Sequence, residues 1–470
     1  MKKRNRVGFL NILSTCLLYG ISIITAPLFS RLLGTGGYGN VSNYNVWVSI
    51  LSIAATLQTQ ATLANAMVEF PASEQDKYQS SVLSLSLVCF AVVAALVLLF
   101  LGPISNALNL PTFFILLVLF QSFGTYGVNF MNRKLTYEMK AGRNMLLSLV
   151  TTLATMGLSL VFVLTLPQEQ RYYGRITAIA AVYGLLGLGL CISIWAKGKT
   201  FYNREFWRFC IPLAIPYIFY NLADLLLGHS DVIMLRQMIG DSTSGIYSTA
   251  FQLGMVLYTI FTALNNTWVP FFYEDTKQGN ADAVRSSAEN YLELFTVLSA
   301  GFILLSTEVY HLFAGQDFWG STNLVPLFAL SHYVNFLCTF PITYEQYHKQ
   351  VKIVAAATIA SSLINILLNY LLIPPLGMLG AALATVISHT LQFLAHYIST
   401  RYFLGKQTYP FSFSLWGKYA AAFLIVFVLV YLLSGFWLIR WALGAAIGIW
   451  ELLRIRKRNA LPVLPCLRNK

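Results

Sequence analysis

The chain has 470 residues; 57% are hydrophobic, only 10% are charged, and the formal net charge is +13. Soluble domains carry about 25% charged residues, so a soluble enzyme or binding module is excluded. The basic residues are spread over eight short segments instead of one stripe, which argues against a nucleic-acid partner.

Fourteen apolar stretches follow one another, each near the roughly 20 residues a helix needs to cross a membrane. They cover about 8–30, 41–66, 81–102, 112–130, 144–166, 174–195, 211–235, 246–272, 288–312, 323–343, 352–373, 378–400, 418–434 and 436–453. The first is too long for a signal peptide and lacks a small-residue cleavage site, so it reads as a membrane helix. The last contains Arg440, which weakens the final pair. An even number of spans puts both ends on one side. Of the 31 Lys and Arg, 26 lie at the N-terminus, on alternate connections and in the tail; the others are Arg31, Arg171, Arg175, Arg236 and Arg440. By the positive-inside rule both termini are expected to be cytoplasmic.

The exterior connections are short, and the longest cytoplasmic ones, near 131–143, 196–210, 273–287 and 401–417, are modest. A membrane enzyme that polymerises or transfers sugars needs a sizeable exterior loop or an acidic cluster at an interface. Neither is present, so the chain is not expected to be an enzyme. Cys16, Cys89, Cys191, Cys210, Cys338 and Cys466 form no CxxC motif and have no His at metal spacing. They read as small apolar fillers, with no metal implied.

Ionisable groups at membrane depth are costly and mark function by default. Helix 1 offers only Ser14, Thr15, Ser22 and Thr25. Helix 2 reads LQTQATLAN, which as one helix puts Gln58, Thr62 and Asn65 along one face. Helix 7 carries Asn221, Asp224, His229 and Asp231, with Asp224 and Asp231 two turns apart on about one face. Pro212 and Pro216 near its start would kink it, a sensible hinge beside Asp224. Pro270 does the same near the end of helix 8. Helix 8 adds Gln252, Asn265 and Asn266, and helix 10 adds His332 and Asn335. Helix 11 places Asn365 and Asn369 one turn apart, and Thr385 follows on helix 12.

The chain also repeats. RLLGTGGYG (31–39) after helix 1 is echoed by LRQMIGDSTSGIY (235–247) after helix 7. The two arginines, Arg31 and Arg236, stand 205 residues apart. A weaker echo links 158–183 with 367–387, each an apolar helix, Pro, a turn, Gly and a small-residue helix. Such repeats are common in transporters, with the substrate site between the halves. The expected organisation is an N-terminal lobe at 1–200 (helices 1–6), a C-terminal lobe at 201–400 (helices 7–12), and helices 13–14 with a basic tail at 401–470.

The RLLGTGGYG exit, the helix 7 sequence IPLAIPYIFYNLADLLLGHSDVIML (211–235) and the helix 12 entry IPPLGMLGAALAT (373–385) occur in that order on a fourteen-helix frame. In this the chain resembles the multidrug/oligosaccharidyl-lipid/polysaccharide exporter (MOP) superfamily, and within it the bacterial polysaccharide-biosynthesis flippases of Wzx type. The resemblance implies an all-α, MATE-like fold of two pseudo-symmetric lobes in the bacterial cytoplasmic membrane. It implies a flippase that moves undecaprenyl-pyrophosphate-linked oligosaccharide by alternating access for surface polysaccharide. Membrane lipid surrounds such a protein, and polysaccharide polymerase and glycosyltransferases are its expected partners.

The set Asp224, Asp231, Asn365, Asn369 and Thr385 is similar to the sodium site of the lipid II flippases, with Asn369 where a carboxylate is expected. Coupling to Na+ or H+ is therefore implied, with no other cofactor. The other reading of Asp231 is an ion pair with Arg236; that of the Asn pair is hydrogen bonding between helices.

A lipid-linked sugar has an apolar tail, an anionic pyrophosphate and a large polar head. For the pyrophosphate, Arg31 and Arg236 are the first candidates and Arg175 a weaker one. Arg133, Lys134, Lys140 and Arg143 on the 4–5 loop are explained by orientation. Gln58, Asn65, Asn221 and Gln252 are expected to line the cavity for the head, with tyrosines such as Tyr217 and Tyr220. The rival readings are a cation-coupled multidrug exporter, a lipid II flippase and a membrane polysaccharide polymerase. The absence of a carboxylate well inside the N-terminal helices argues against the first, and the short exterior loops against the last.

Overall fold

The computed structural model describes residues 2–108, 110–138, 140–348, 350–403, 411 and 413–458. The side chains of Ser14, Thr15, Cys16, Ser22, Asn266 and Pro270, and the tail with Cys466, lie outside what it describes. Every regular element among the described residues is helical. This is the outcome an apolar solvent imposes, since a helix satisfies its own backbone groups. In chain order the helices are α1 (Lys2–Ala55), α2 (Leu63–Glu69), α3 (Gln75–Leu99), α4 (Leu101–Leu108) and α5 (Thr112–Tyr137). Next come α6 (Ala141–Thr165), α7 (Arg171–Gly198), α8 (Arg204–Met238), α9 (Asp241–Lys277) and α10 (Ala281–Phe313). The chain closes with α11 (Val325–Tyr347), α12 (Val351–Leu376), α13 (Met378–Ile398), α14 (Phe413–Leu432) and α15 (Trp437–Arg458).

Eleven of the described helices are long and apolar enough to cross a membrane. The bent pair Pro27–Ala55 and Thr59–Met67 adds a twelfth. The chain is a multi-pass membrane protein. The first expected span is the N-terminal arm of α1, which breaks at Gly34 (φ 68°, ψ 177°). That positive φ is cheap only for glycine. The second runs over the other arm and past Ala55 into α2. The weak final pair has a physical explanation. Arg440 is 1% exposed, donates to Thr307 Oγ1 at 3.0 Å and pairs with Glu308 of α10. Its charge is turned inward, as intramembrane arginines require.

The chain divides into two compact units, 1–245 and 246–470, and the division falls inside α9. In the first unit α8 packs on α1 and α3, so the compact division lies beyond the helix expected to open the second lobe. Small residues set a close crossing of α5 and α7 in this unit. A Cβ on Gly124 of α5 would stand 2.3 Å from the Tyr183 carbonyl oxygen of α7, and one on Gly187 would stand 2.1 Å from that of Gly124. Such close backbone approach is how membrane helices gain packing when lipid supplies no hydrophobic drive. α1 joins this core through Tyr44 Oη, which donates to Gln121 Oε1 at 2.8 Å. Asn203 caps α8 by accepting from Glu205 N and Phe206 N at 2.9 and 3.2 Å.

The second unit is built on buried aromatics. Trp268 stacks on Tyr291, and Phe336 packs against Phe295 and Phe340. Gly377 (φ 58°) turns the chain sharply from α12 into α13, just after Pro374 and Pro375. Gly380 then lets the two helices meet, since a Cβ there would stand 2.1 Å from the Leu372 carbonyl oxygen.

Candidate functional site

The polar region of helix 2 is not the single face expected from its spacing. α1 stops at Ala55, and Leu57 and Gln58 adopt left-handed backbone with φ 54° and 49°. A short 3-10 turn, Thr59–Thr62, then leads to α2. The break rotates the register, so Gln58 and Thr62 are buried while Asn65 is exposed. The freed polar groups are taken up by a buried network. Thr59 Oγ1 bonds Ser86 Oγ at 2.9 Å and Tyr126 Oη at 2.6 Å. Thr62 Oγ1 bonds Tyr78 Oη at 2.7 Å, and Ser86 donates to the Thr56 carbonyl at 2.6 Å. Gln60 Nε2 donates to Gln58 Oε1 at 2.8 Å. By contrast α8, where Pro212 and Pro216 predict the break, runs as one helix from Arg204 to Met238.

The three candidate arginines have different surroundings. Arg31 is exposed, three residues before the bend at Gly34. Arg175 donates to Ser159 Oγ at 2.6 Å and lies over the Phe29 ring, 3.8 Å from its centroid. A cation over an aromatic face is held by the ring quadrupole, so Arg175 acts here as a brace. Arg236 is buried and donates to Asp241 Oδ1 at 2.5 Å and to Asn40 Oδ1 at 2.7 Å. Its carboxylate partner is thus Asp241 and not Asp231, because α8 ends at Met238 and the Gly240 turn (φ 138°) brings Asp241 back onto the guanidinium.

Around that cluster the repeat seen in the sequence becomes geometry, all within the first unit. A Cβ on Gly39 would stand 2.1 Å from the Asp241 carbonyl oxygen, and one on Gly245 would stand 1.9 Å from that of Thr35. Thr35 and Asp241, and Gly39 and Gly245, are each 206 residues apart. The two echoes therefore cross reciprocally, glycine against glycine. Ser242 Oγ donates to Thr35 Oγ1 at 2.7 Å, and Asn40 Nδ2 reaches Asp241 Oδ2 at 3.3 Å. The result is a polar seam over a glycine crossing.

On α8, Asp224 is exposed, Asn221 is half-buried and Asp231 is buried, accepting from Val232 N at 2.8 Å. In the second unit Gln252 is half-buried. The spacing of Asn365, Asn369 and Thr385 does bring these residues together, all buried. Asn369 Nδ2 donates to Asn365 Oδ1 at 3.0 Å, Asn365 Nδ2 to Thr385 Oγ1 at 3.5 Å, and Thr385 to the Ala381 carbonyl at 3.1 Å. Hard cations need free oxygen ligands. Here the oxygens of Asn365 and Thr385 accept from amides, so a cation would have to displace those donors. Among the described residues no group of three His, Cys, Asp or Glu is placed to hold a metal ion. On the 4–5 loop, Lys134 is tied to Asp76 at 3.2 Å and Lys140 to Glu138 at 2.5 Å.

Sequence reasoning missed a second buried constellation. Glu345 on α11 and His396 on α13 are both fully buried and bond at 2.8 Å. Ser331 and His389 bond at 2.8 Å between the same two helices. The signal was present in α13, where Thr385, His389, Gln392 and His396 recur at steps of four, three and four, one face of a helix.

The whole chain can be set beside known proteins. A probable low-salt glycan biosynthesis flippase, Agl15 of Haloferax volcanii, is 21% identical over 395 residues, covering 81% of this chain and 80% of that protein. The solved lipid II flippase MurJ in an inward closed conformation superposes with a TM-score of 0.69 at 16% identity, covering 96% of this chain and 99% of that one. An inward-facing multidrug resistance MATE family transporter of the MOP superfamily gives 0.61 at 15% identity, over 84% and 97%. The fold is therefore the MATE-like fold of that superfamily. Residues 6–274 match the model of the polysaccharide biosynthesis protein family, and the chain belongs to that family.

Proposed function

We propose that this chain is a flippase that carries an undecaprenyl-pyrophosphate-linked oligosaccharide from the inner to the outer leaflet of the bacterial cytoplasmic membrane. It does no bond-making chemistry. The observation that carries the reading is the seam at Arg236, on a chain of this family and fold. The seam is held by a few charge-assisted hydrogen bonds over a glycine crossing. Polar contacts of this kind can be exchanged for water at modest net cost, which suits a closure that must open in every cycle.

In alternating access the lipid tail stays in the bilayer while the head crosses a polar path. Exposed Arg31, four residues before Thr35 of the seam, would meet the pyrophosphate, since arginine matches phosphate geometry. Arg236 serves closure. Exposed Asn65 and Asp224 and half-buried Asn221 and Gln252 offer hydrogen bonds to sugar hydroxyls. A polymerase and glycosyltransferases of the same surface-polysaccharide route are the proposed partners. The test is made in cells lacking the protein. Sugar-lipid trapped on the cytoplasmic face, restored by the wild-type chain and not by Arg31→Ala, supports the reading. Normal outer-leaflet display with unpolymerised units would instead indicate a polymerase. Unchanged sugar-lipid with altered drug retention would indicate a drug exporter.

A further inference from the structure

The connection from α10 to α11 is one 3-10 helix of nine residues, Gln316–Leu324. Runs beyond three or four residues are uncommon, because the tight winding makes poorer hydrogen bonds and eclipses every third side chain. That eclipsing sorts the sequence QDFWGSTNL into three rows. Phe318, Ser321 and Leu324 form the buried row. Gln316, Trp319 and Thr322 form the second. Asp317, Gly320 and Asn323 form the third, and all three of these are exposed. Ser321 Oγ donates to the Ile246 carbonyl of α9 at 3.0 Å, and Tyr431 Oη of α14 donates to the Asn323 carbonyl at 2.7 Å. Two other helices therefore hold the turn in place.

The ring of Trp319 is fixed before any partner arrives. It stacks on His311 of α10 with centroids 4.1 Å apart, and its Nε1 donates to the Ala314 carbonyl at 3.2 Å. Thr322 Oγ1 donates to the Trp319 carbonyl at 2.7 Å. Trp319 is nevertheless 38% exposed. A tryptophan of the interfacial belt offers a polar tip at headgroup level. Here the N–H is spent inside the turn, and only ring surface is on offer. Lipid alone would suit a bare ring, but it does not suit the side chains beside it. Those of Gln316, Asp317 and Asn323 are exposed and make no hydrogen bond or ion pair among the described residues. Gly320 keeps the ground between them open. Its φ is not positive, and beyond its own neighbours nothing lies within 4 Å of where a Cβ would stand. Neither backbone nor packing calls for glycine there.

A pyranose ring matches this mixture. One of its faces presents C–H groups, which pack on an aromatic ring, while its rim carries hydroxyls that need acceptors and donors together. Asp317 accepts, and the amides of Gln316 and Asn323 do both. A sugar acid or the pyrophosphate does not match, because the Asp317 carboxylate repels it. Arg440, which meets α10 three residues before His311, is already paired with Glu308. Residues 314–324 contain no Lys or Arg, as expected of an exterior connection. We propose that the turn Gln316–Leu324 is a binding site for a neutral sugar ring at the expected exterior end of the second unit, and that it receives the glycan head as it leaves. The proposal rests on the flippase reading for what is received, not for the site itself. A rigid, pre-placed ring costs little ordering when it binds.

The experiment uses the full chain in nanodiscs of phosphatidylethanolamine and phosphatidylglycerol, free of glycosidic detergent. Saturation-transfer NMR with the methyl glycosides of glucose, galactose, mannose and glucuronic acid reads which ring protons lie on the protein. We expect transfer to the C–H face of a neutral hexoside and none to the glucuronide. Trp319→Ala is expected to weaken binding about tenfold, the scale of one aromatic contact, and Trp319→Phe to recover part of it. Gly320→Leu has room for its side chain, so it is expected to keep the parent melting temperature and block the site. Asp317→Asn is expected to admit the glucuronide. If the wild-type chain transfers to none of the neutral hexosides, or if folded Trp319→Ala and Gly320→Leu bind as the parent does, the proposal is overturned. In liposomes with a lipid-linked oligosaccharide, a Gly320→Leu chain that binds no hexoside yet moves glycan at the parent rate also overturns it. A wild-type chain that binds the hexoside but moves no glycan would leave the sugar site standing and sink the flippase reading.

Discussion

Arg236 makes two different bonds, to a carboxylate and to an amide, and its rigid fork is what lets it do both. Arg236→Ala would strand Asp241 and Asn40, a cost of about 1–3 kcal/mol, read as a lower melting temperature in detergent. Arg236→Lys is expected to recover little, because a point charge cannot replace the fork. Gly39 and Gly245 are stricter still. A methyl group at either meets a backbone carbonyl at about 2 Å, and the backbone must shift by more than van der Waals give. Gly39→Ala and Gly245→Ala should each open the seam, at about 1–3 kcal/mol of overpacking. A disulfide trap between Thr35→Cys and Ser242→Cys, whose wild-type hydroxyls lie 2.7 Å apart, should then form more slowly than in the parent. Equal trapping rates would show that the crossing tolerates the methyl. The sequence pointed to Arg236 through the repeat, but its partner Asp241 was hidden. Two acids flank Arg236 five residues away on either side, and only the Gly240 turn selects between them.

The spans and their order were readable because twenty-residue apolar runs have few alternatives in a membrane. The break after α1 was not. Leu57 and Gln58 turn left-handed without a glycine or proline to announce it, and the tertiary network of Thr59, Ser86 and Tyr126 supplies the compensation. The prolines that do announce a break, Pro212 and Pro216, sit inside an unbroken α8. In the second unit, the contact of Asn365, Asn369 and Thr385 was legible since it follows from one helical turn and one hairpin at Gly377. Glu345 and His396 lie 51 residues apart on helices that are not joined directly, so no local spacing exposes them. Gln58→Gly removes a left-handed strain of about 1–2 kcal/mol but adds about 0.4–1 kcal/mol of unfolded-state entropy and loses the Gln58–Gln60 bond, so its melting temperature is expected to match the parent's. Thr59→Val leaves Tyr126 and Ser86 short of a partner and should cost about 1 kcal/mol. A Thr59→Val variant as stable as the parent would mean the network carries no load.

At the scale of the whole molecule, the described residues are almost entirely helix, and Arg440, inside the last expected span, is paired inward with Glu308. Among the described residues no large loop stands between the helices, and the proposed function is movement of a molecule across the bilayer. Belonging to the polysaccharide biosynthesis family narrows what that molecule is, and the seam at Arg236 is the closure proposed for its passage. The most direct measurement is leaflet accessibility in liposomes holding only this chain and an undecaprenyl-pyrophosphate oligosaccharide distributed over both leaflets. The account predicts that a glycosidase added outside trims the whole glycan pool when the chain is present, and only the outer-leaflet share when Arg31→Ala replaces it. Trimming that stops at the outer-leaflet share with the wild-type chain would contradict it.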